Sequence, residues 1–310
     1  MCEKHIPVLL DECLEGLGIR PDGIYVDGTL GRAGHAYEIA SRLTTGKLIG
    51  IDRDQTAIEA AKKRLGQFGE RVSLVHGNFR DIEAILAGLG TPQVDGMLFD
   101  LGVSSPQLDN AQRGFSYMAD APLDMRMDQT AALTADEVVN TWAEGRLRQI
   151  LYDYGEERYA PRIAKAICTQ RETGAIQTTG QLVDIIRSAM PVSALREKQH
   201  PAKRTFQAIR IAVNDELGAV EDMLEAATAC LAPGGRLAVI SFHSLEDRLV
   251  KNAISRREKG CTCPRDFPVC VCGFVPTLKN MSRKAILPTA EEIEQNPRAR
   301  SAKLRVAERI

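Results

Sequence analysis

The sequence has no long hydrophobic run: nothing approaches the roughly 18 consecutive apolar residues that mark a membrane span. It has no basic segment followed by an apolar stretch near Met1-Cys2-Glu3-Lys4-His5, so a signal peptide is not expected and the protein reads as cytoplasmic, with no membrane partner. It has almost no net charge, −1 from 40 basic and 41 acidic residues, so the global balance argues neither for nor against nucleic acid. It lacks the G-x-x-x-x-G-K-[ST] loop that cradles phosphates and the G-x-G-x-x-G turn of dinucleotide enzymes. It lacks the C-x₂-C spacing of the commonest zinc knuckles, although it holds 8 cysteines, which a cytosolic chain keeps reduced.

What is present is a core-forming composition, 44% apolar over 310 residues, enough for one large domain or two modest ones. Short β-branched runs recur at Ile24–Val26, Lys47–Ile51, Val72–Val75 and Val94–Phe99, and helical spacing lies between them, as at Ala57, Ile58, Ala61 and Leu65 after the cap Asp54. This alternation implies βαβ units and a parallel sheet buried on both faces, an α/β fold of Rossmann-like type. The next strand, Gly235–Ile240, comes about 130 residues later, where a simple crossover needs about 30. The intervening chain reads as helical, with Thr134-x-x-Glu137 as a capping box before Val138. An all-helical insertion is therefore expected over 108–205, splitting the sheet domain into 1–107 and 206–310, with the chain returning through one helix from about Arg204 to Leu231.

The first strand ends in Asp27-Gly28-Thr29-Leu30-Gly31-Arg32-Ala33-Gly34-His35, a glycine-rich turn that lets backbone approach a ligand. Asp52 ends the second strand, 18 residues after Gly34, where an acid can accept hydrogen bonds from both hydroxyls of a ribose. Asn78-Phe79 follows the third strand, positioned to flank an adenine, and Asp100 ends the fourth. All four ends share the carboxyl edge of a parallel sheet, where open α/β folds bind ligands.

At Asp100-Leu101-Gly102-Val103-Ser104-Ser105-Pro106-Gln107 the sequence resembles the RsmH (MraW) family. His5-Ile6-Pro7-Val8-Leu9-Leu10, the glycine turn, Arg113-Gly114-Phe115-Ser116, Pro122-Leu123-Asp124-Met125-Arg126-Met127-Asp128, Ser241-Phe242-His243-Ser244-Leu245-Glu246-Asp247-Arg248 and Asn296-Pro297-Arg298-Ala299-Arg300-Ser301 extend the likeness over almost the whole chain. The resemblance implies a class I methyltransferase sheet with a helical insertion that recognises RNA. It implies S-adenosyl-L-methionine as cofactor and, as substrate, N4 of a cytidine in the decoding region of 16S ribosomal RNA, presented in the small ribosomal subunit or a late assembly intermediate. It further implies that Ala33, Gly34 and His35 line the methionine end, Asp52 the ribose and Phe79 the adenine, with Asp100 and Gln107 completing the pocket; Ala33 stands where the family often has glycine.

Methyl transfer to an amine is a direct displacement and mainly a positioning problem, helped by an acceptor that localises the nitrogen lone pair. Asp100, Ser104 and Ser105 are the candidates for that role. His243 and Ser244 follow the fifth strand and are candidates for substrate contact, a structural histidine being the alternative reading of His243. Asp124 and Arg126 are candidate substrate residues, or an ion pair that shapes the pocket. The basic residues Arg196, Lys198, Lys203, Arg204 and Arg210, and Arg298, Arg300, Lys303, Arg305 and Arg309 near the C-terminus, offer phosphate contacts. Cys261, Cys263, Cys270 and Cys272 lie within 12 residues and are candidates for a structural zinc, against reduced or redox-sensitive surface thiols. The alternatives are a methyltransferase for another RNA, a protein or a small molecule, a nicotinamide dehydrogenase, and a zinc-dependent RNA-binding protein without catalysis.

Overall fold

The computed structural model describes residues 7–264 and 271–310. The expected strands form and join two more in a seven-stranded sheet. In chain order they are β1 (Ile24–Asp27), β2 (Lys47–Asp52), β3 (Val72–His76), β4 (Val94–Asp100), β5 (Leu231–Ser241), β6 (Leu278–Asn280) and β7 (Lys303–Arg309). Their order across the sheet is β3-β2-β1-β4-β5-β7-β6. The first five are parallel, and β7 is antiparallel to both β5 and β6.

Strand periodicity explains the two cores. Successive side chains point to opposite faces. On one face Val26, Ile49, Ile51, Met97, Phe99, Leu237 and Val239 pack with residues of helix Glu216–Cys230, including Val220, Met223 and Leu224. On the other Tyr25, Leu48, Leu98, Ala238, Ile240 and Leu304 pack with Leu14 and Leu17 of helix Leu10–Leu17 and with Ile39 of helix Gly34–Arg42. Covered on both sides, the strands read as continuous apolar runs.

The chain divides into two compact units, residues 1–102 with 217–310, and residues 103–216. The second unit is helical, and its core gathers Val138, Leu151, Ile163, Ile167, Leu182, Ile186, Phe206 and Ile209. Thr134 caps helix Ala135–Thr141 by accepting the Glu137 N–H at 3.1 Å. Among the described residues no helix is long and apolar enough to cross a membrane.

Three sequence expectations are corrected. The single helix expected from Arg204 to Leu231 is two, Lys203–Asn214 and Glu216–Cys230, separated by Asp215 in the left-handed region at φ 46°. Aspartate tolerates that conformation better than most residues. The break sets Glu216 against Arg210, whose Nε and Nη2 donate to its two carboxylate oxygens at 2.8 and 2.9 Å. It also accompanies Asn214 bridging the Met127 N–H and the Met125 carbonyl, both at 2.7 Å. The strand expected to begin at Gly235 begins at Leu231. Val94 pairs with Leu231 but Gly96 with Arg236, so the turn Ala232–Gly235 bulges out of the ladder. Finally, Lys303–Arg309 is not a basic tail but β7, inside the sheet.

Arg210 is therefore no phosphate contact. Glu216 is buried and Arg210 nearly so. Removing one partner of a buried pair typically costs about 3–5 kcal/mol, because the other is left uncompensated. Arg210→Met is expected to lower unfolding free energy by about 3 kcal/mol in denaturant titrations, and a loss below about 1 kcal/mol would show that Glu216 does not depend on it.

Candidate active site at the carboxyl edge of the sheet

The glycine turn after β1 is tied to its neighbours by backbone. The Gly28 N–H donates to the Leu98 carbonyl at 2.9 Å and the Leu30 N–H to the Ile51 carbonyl at 3.1 Å. Gly28 lies against the Phe99 ring, and a Cβ there would come within 2.2 Å of Cε1. Only glycine fits that approach. Ala33 is buried at φ 56° at the start of helix Gly34–Arg42. That backbone suits glycine and costs an alanine on the order of 1 kcal/mol, so the departure from the family pattern is strained but tolerated. Gly34 packs against Pro7, whose Cγ would meet an added Cβ at 2.6 Å. The buried His35 points its Nε2 at the Val8 carbonyl, 2.9 Å away, and so donates to it, fastening the N-terminal segment to the turn.

Asp52 closes the other side of this turn. Its Oδ2 accepts the Gly31 N–H and its Oδ1 the Asp54 N–H, both at 2.8 Å. Burial raises its pKa, and the two backbone donors oppose that rise. Each carboxylate oxygen keeps a second lone pair. Asp54 fills the helix cap, accepting the Thr56 N–H at 3.0 Å. Phe79 is buried, edge-on to Phe99 at 5.8 Å between centroids, with the Arg53 guanidinium 5.4 Å from its ring centre. Its ring belongs to the core rather than to an open wall.

Asp100 ends β4 opposite Ile240 of β5. Its N–H donates to Thr29 Oγ1 at 2.5 Å, while its Oδ1 is buried and has no hydrogen-bond partner. Burial, then the charges of Asp27 and Glu246, push its pKa up to about 8. Asp27 is itself buried, and its pKa rises to about 7 for the same leading reason, with a contribution from Asp52. Glu246 is 1% exposed; its Oε2 accepts the Phe242 N–H at 2.9 Å. His243 precedes helix Ser244–Lys259 and forms a capping box with Glu246. Its Nδ1 accepts the Glu246 N–H at 3.4 Å. Its Nε2 lies 3.1 Å from Glu246 Oε1 but is too poorly aligned for a hydrogen bond. His243 thus has a structural capping role. Ser244, first in that helix, is exposed.

Asp27 and Glu246 were not singled out from sequence. Asp27 adjoins the glycine turn, and Glu246 stands three residues after His243 in capping-box spacing, but their burial depends on the assembled fold. Ser104, Ser105, Gln107, Asp124 and Arg126 fall in the helical unit. Ser104 and Gln107 form a reciprocal capping box on the short helix Ser105–Asp109, in which the buried Gln107 accepts the Ser104 N–H at 3.0 Å. Asp124 and Arg126 form a forked ion pair, Nη2 to Oδ2 at 2.6 Å and Nε to Oδ1 at 3.1 Å, and Arg126 Nη1 reaches the Ala131 carbonyl. Among the basic residues, Arg196, Lys198, Lys203, Arg298 and Arg300 are exposed, whereas Lys303 and Arg305 pair with Asp247 at 3.2 and 2.7 Å. Arg204 donates to the Glu156 carbonyl and Arg309 to that of Thr277. Cys270 lies outside the described residues; Cys261, Cys263 and Cys272 lie together.

A seven-stranded sheet of this order, with its seventh strand antiparallel, a glycine turn after β1 and acids ending β2 and β4, defines a class I methyltransferase. The model of the MraW methylase family matches residues 2–310. Proteins named ribosomal RNA small subunit methyltransferase H are 56% identical in Heliobacterium modesticaldum, over 100% of both chains, and 55% identical in a Paenibacillus species, over 99% of both. This chain belongs to the MraW methylase family. Solved structures of an rRNA methylase from Streptococcus thermophilus (TM-score 0.40, 13% identity, 97% of this chain and 93% of that one) and of an S-adenosylmethionine-dependent O-methyltransferase from Thermotoga maritima (0.43, 8%, 100% and 68%) are too distant to add to this.

The raised acids have a consequence for stability. An unfolded aspartate ionises near pH 4, so between about pH 4 and pH 8 the folded chain binds more protons than the unfolded one, and stability falls as pH rises through that window. Asp100→Asn removes the charge and keeps the shape. Its Tm at pH 8 is expected to exceed that of the unsubstituted protein, and the two should converge near pH 4. Equal Tm values across pH 5 to 9 would contradict the buried acid.

Proposed function

We propose that the protein transfers a methyl group from S-adenosyl-L-methionine to the N4 amine of a cytidine in 16S ribosomal RNA, presented in the small ribosomal subunit or a late assembly intermediate, in the cytoplasm. The observation that carries the catalytic reading is the buried, unpartnered Oδ1 of Asp100 at the carboxyl end of β4. The names of the curated relatives support a small-subunit RNA substrate.

The site fits this cofactor on chemical grounds. Burial, and then the neighbouring Asp27 and Glu246 carboxyls, disfavour ionisation of Asp100. A ligand with positive charge offsets this. The cofactor supplies an electrophilic methyl on a cationic sulfur. Ala33 and Gly34 admit close backbone approach, and the spare lone pairs of Asp52 suit two ribose hydroxyls. Phe79 closes the apolar side behind the strand ends, and His35 acts one step removed, by holding the N-terminal segment.

The amine of cytosine is a weak nucleophile because its lone pair is shared with the ring. Asp100 Oδ1, once ionised, accepts an N4–H and draws that pair toward the methyl group, which is worth typically 10²–10⁴-fold for a positioned acceptor. The accepting role is assigned to Asp100, while Ser104 caps the short helix Ser105–Asp109. His243 and Ser244 act through the helix start that holds Glu246, and the Asp124–Arg126 pair and Gln107 shape the helical unit. That unit, with exposed Arg196, Lys198 and Lys203, serves as the RNA-recognition domain. A base within folded RNA must be splayed out to reach such a site.

Small subunits from cells lacking this gene, incubated with the protein and labelled cofactor, should yield N4-methylcytidine on nucleoside mass spectrometry, with protein-free 16S RNA a poorer acceptor. Asp100→Ala should lower the rate at least about 10²-fold. Label at another atom would overturn the assignment to N4, and near-normal turnover of the variant would remove Asp100 from the chemistry.

A further inference from the structure

The segment between helix Ser244–Lys259 and β6 carries chemistry that methyl transfer does not use. The sulfurs of Cys261, Cys263 and Cys272 all lie within 4.8 Å of one another, and those of Cys261 and Cys272 are 3.6 Å apart. Burial does not gather them: Cys261 and Cys272 are exposed, whereas the isolated Cys13 and Cys230 are packed in the core. The separation is far beyond a disulfide bond, about 2.05 Å. It matches the edge of a sulfur tetrahedron around zinc, about 3.8 Å for bonds of about 2.3 Å.

The scaffold is fixed on both arms. The Thr277 N–H donates to the Arg257 carbonyl at 3.0 Å, and the Asn280 N–H to Glu258 Oε1 at 3.1 Å. Gly260 turns the chain in a space closed by the Arg256 carbonyl and the Phe274 ring, where a Cβ would meet them at 2.2 and 2.7 Å. The Val271 N–H lies 3.3 Å from Cys263 Sγ, the kind of backbone donor that supports a coordinating thiolate. All-sulfur donors select a soft or borderline ion over magnesium or calcium.

We propose that Cys261, Cys263 and Cys272 bind one zinc ion as thiolates and that the ion clamps the segment joining helix Ser244–Lys259 to the edge strand β6. Each thiol releases its proton to solvent on coordination, and nothing is oxidised or reduced. Exposed β-edge backbone is a liability for a sheet, and a cross-link beside β6 limits how far that edge can open. The site is independent of the methyl-transfer reading.

The test uses the full-length protein, purified under reducing conditions without a chelating tag or resin. Elemental analysis should find about one zinc per chain. Replacement by cobalt(II) should give the thiolate-to-metal charge-transfer band and the intense visible absorption of a tetrahedral sulfur site. Cys261→Ser, Cys263→Ser and Cys272→Ser should each lower bound zinc about tenfold or more, while Cys168→Ser in the helical unit leaves it unchanged. Should a serine variant fail to fold, chelator-driven zinc release from the unsubstituted protein, followed with a metal-sensitive dye, gives the same stoichiometry. Zinc-free protein that shows no cobalt–thiolate band, or a Cys261–Cys272 disulfide in place of metal, would overturn the site.

Discussion

Removal of the Asp100 carboxyl from water, with the Asp27 and Glu246 carboxyls beside it, is the constraint around which the sheet edge is organised. Asp27, Asp100 and Glu246 come from the ends of β1 and β4 and from the helix after β5. Removal from water and the neighbouring charges disfavour ionisation of Asp100. A fold seldom keeps such an arrangement for stability, since burying like charges costs more than any packing they provide. It is the arrangement expected where a cation is to be received, and raised carboxyl groups of this kind cluster at working sites.

The surrounding structure holds these groups in place. Thr29 receives the Asp100 N–H, Asp52 receives the Gly31 N–H, and the turn between them can approach β4 because Gly28 presents no side chain to Phe99. Glu246 is fixed by the capping of its own helix, with the Phe242 N–H on one oxygen and His243 beside the other. The two faces of the sheet are packed by separate helix sets, so strand ends on a common edge have little freedom to drift. The polar atoms gathered at this edge stand on rigid elements, which is what positioning a sulfonium, an amine and the carbon between them demands.

Much of this was legible in the sequence, because parallel strands buried on both faces announce themselves as short β-branched runs and the acids that end them stand out by position. The strands from Ile24 to Asp100 are of that kind. The rest was hidden for identifiable reasons. In β7, Leu304 and Val306 alternate with Lys303 and Arg305, and the charged partners made an antiparallel strand look like a basic tail. Arg210 looked like a phosphate ligand because its partner, Glu216, lies beyond a helix break that local propensity does not disclose. Glu246 reads as an ordinary capping acid, and its burial comes from strands far away in sequence. The role of Gln107 came from family resemblance alone, whereas those of Asp52 and Phe79 were also suggested by their places at the strand ends. The structure adds that Asp52 keeps acceptor capacity, that Phe79 is largely core and that Gln107 caps a helix.

The central claim, that crowded acids at the sheet edge receive the sulfonium, is tested most directly by proton linkage. Calorimetric titration of the protein with S-adenosylmethionine, in buffers of differing ionisation enthalpy between pH 6 and 8.5, measures protons exchanged on binding. S-adenosylhomocysteine, which shares the amino-acid tail but lacks the sulfonium charge, is the reference. If the acids receive the cation, S-adenosylmethionine releases more protons than the reference near pH 7. Its affinity relative to the reference then rises with pH toward about 8, and both differences shrink in Asp100→Asn. Equal proton exchange for the two ligands, with a pH-independent affinity ratio, would contradict it.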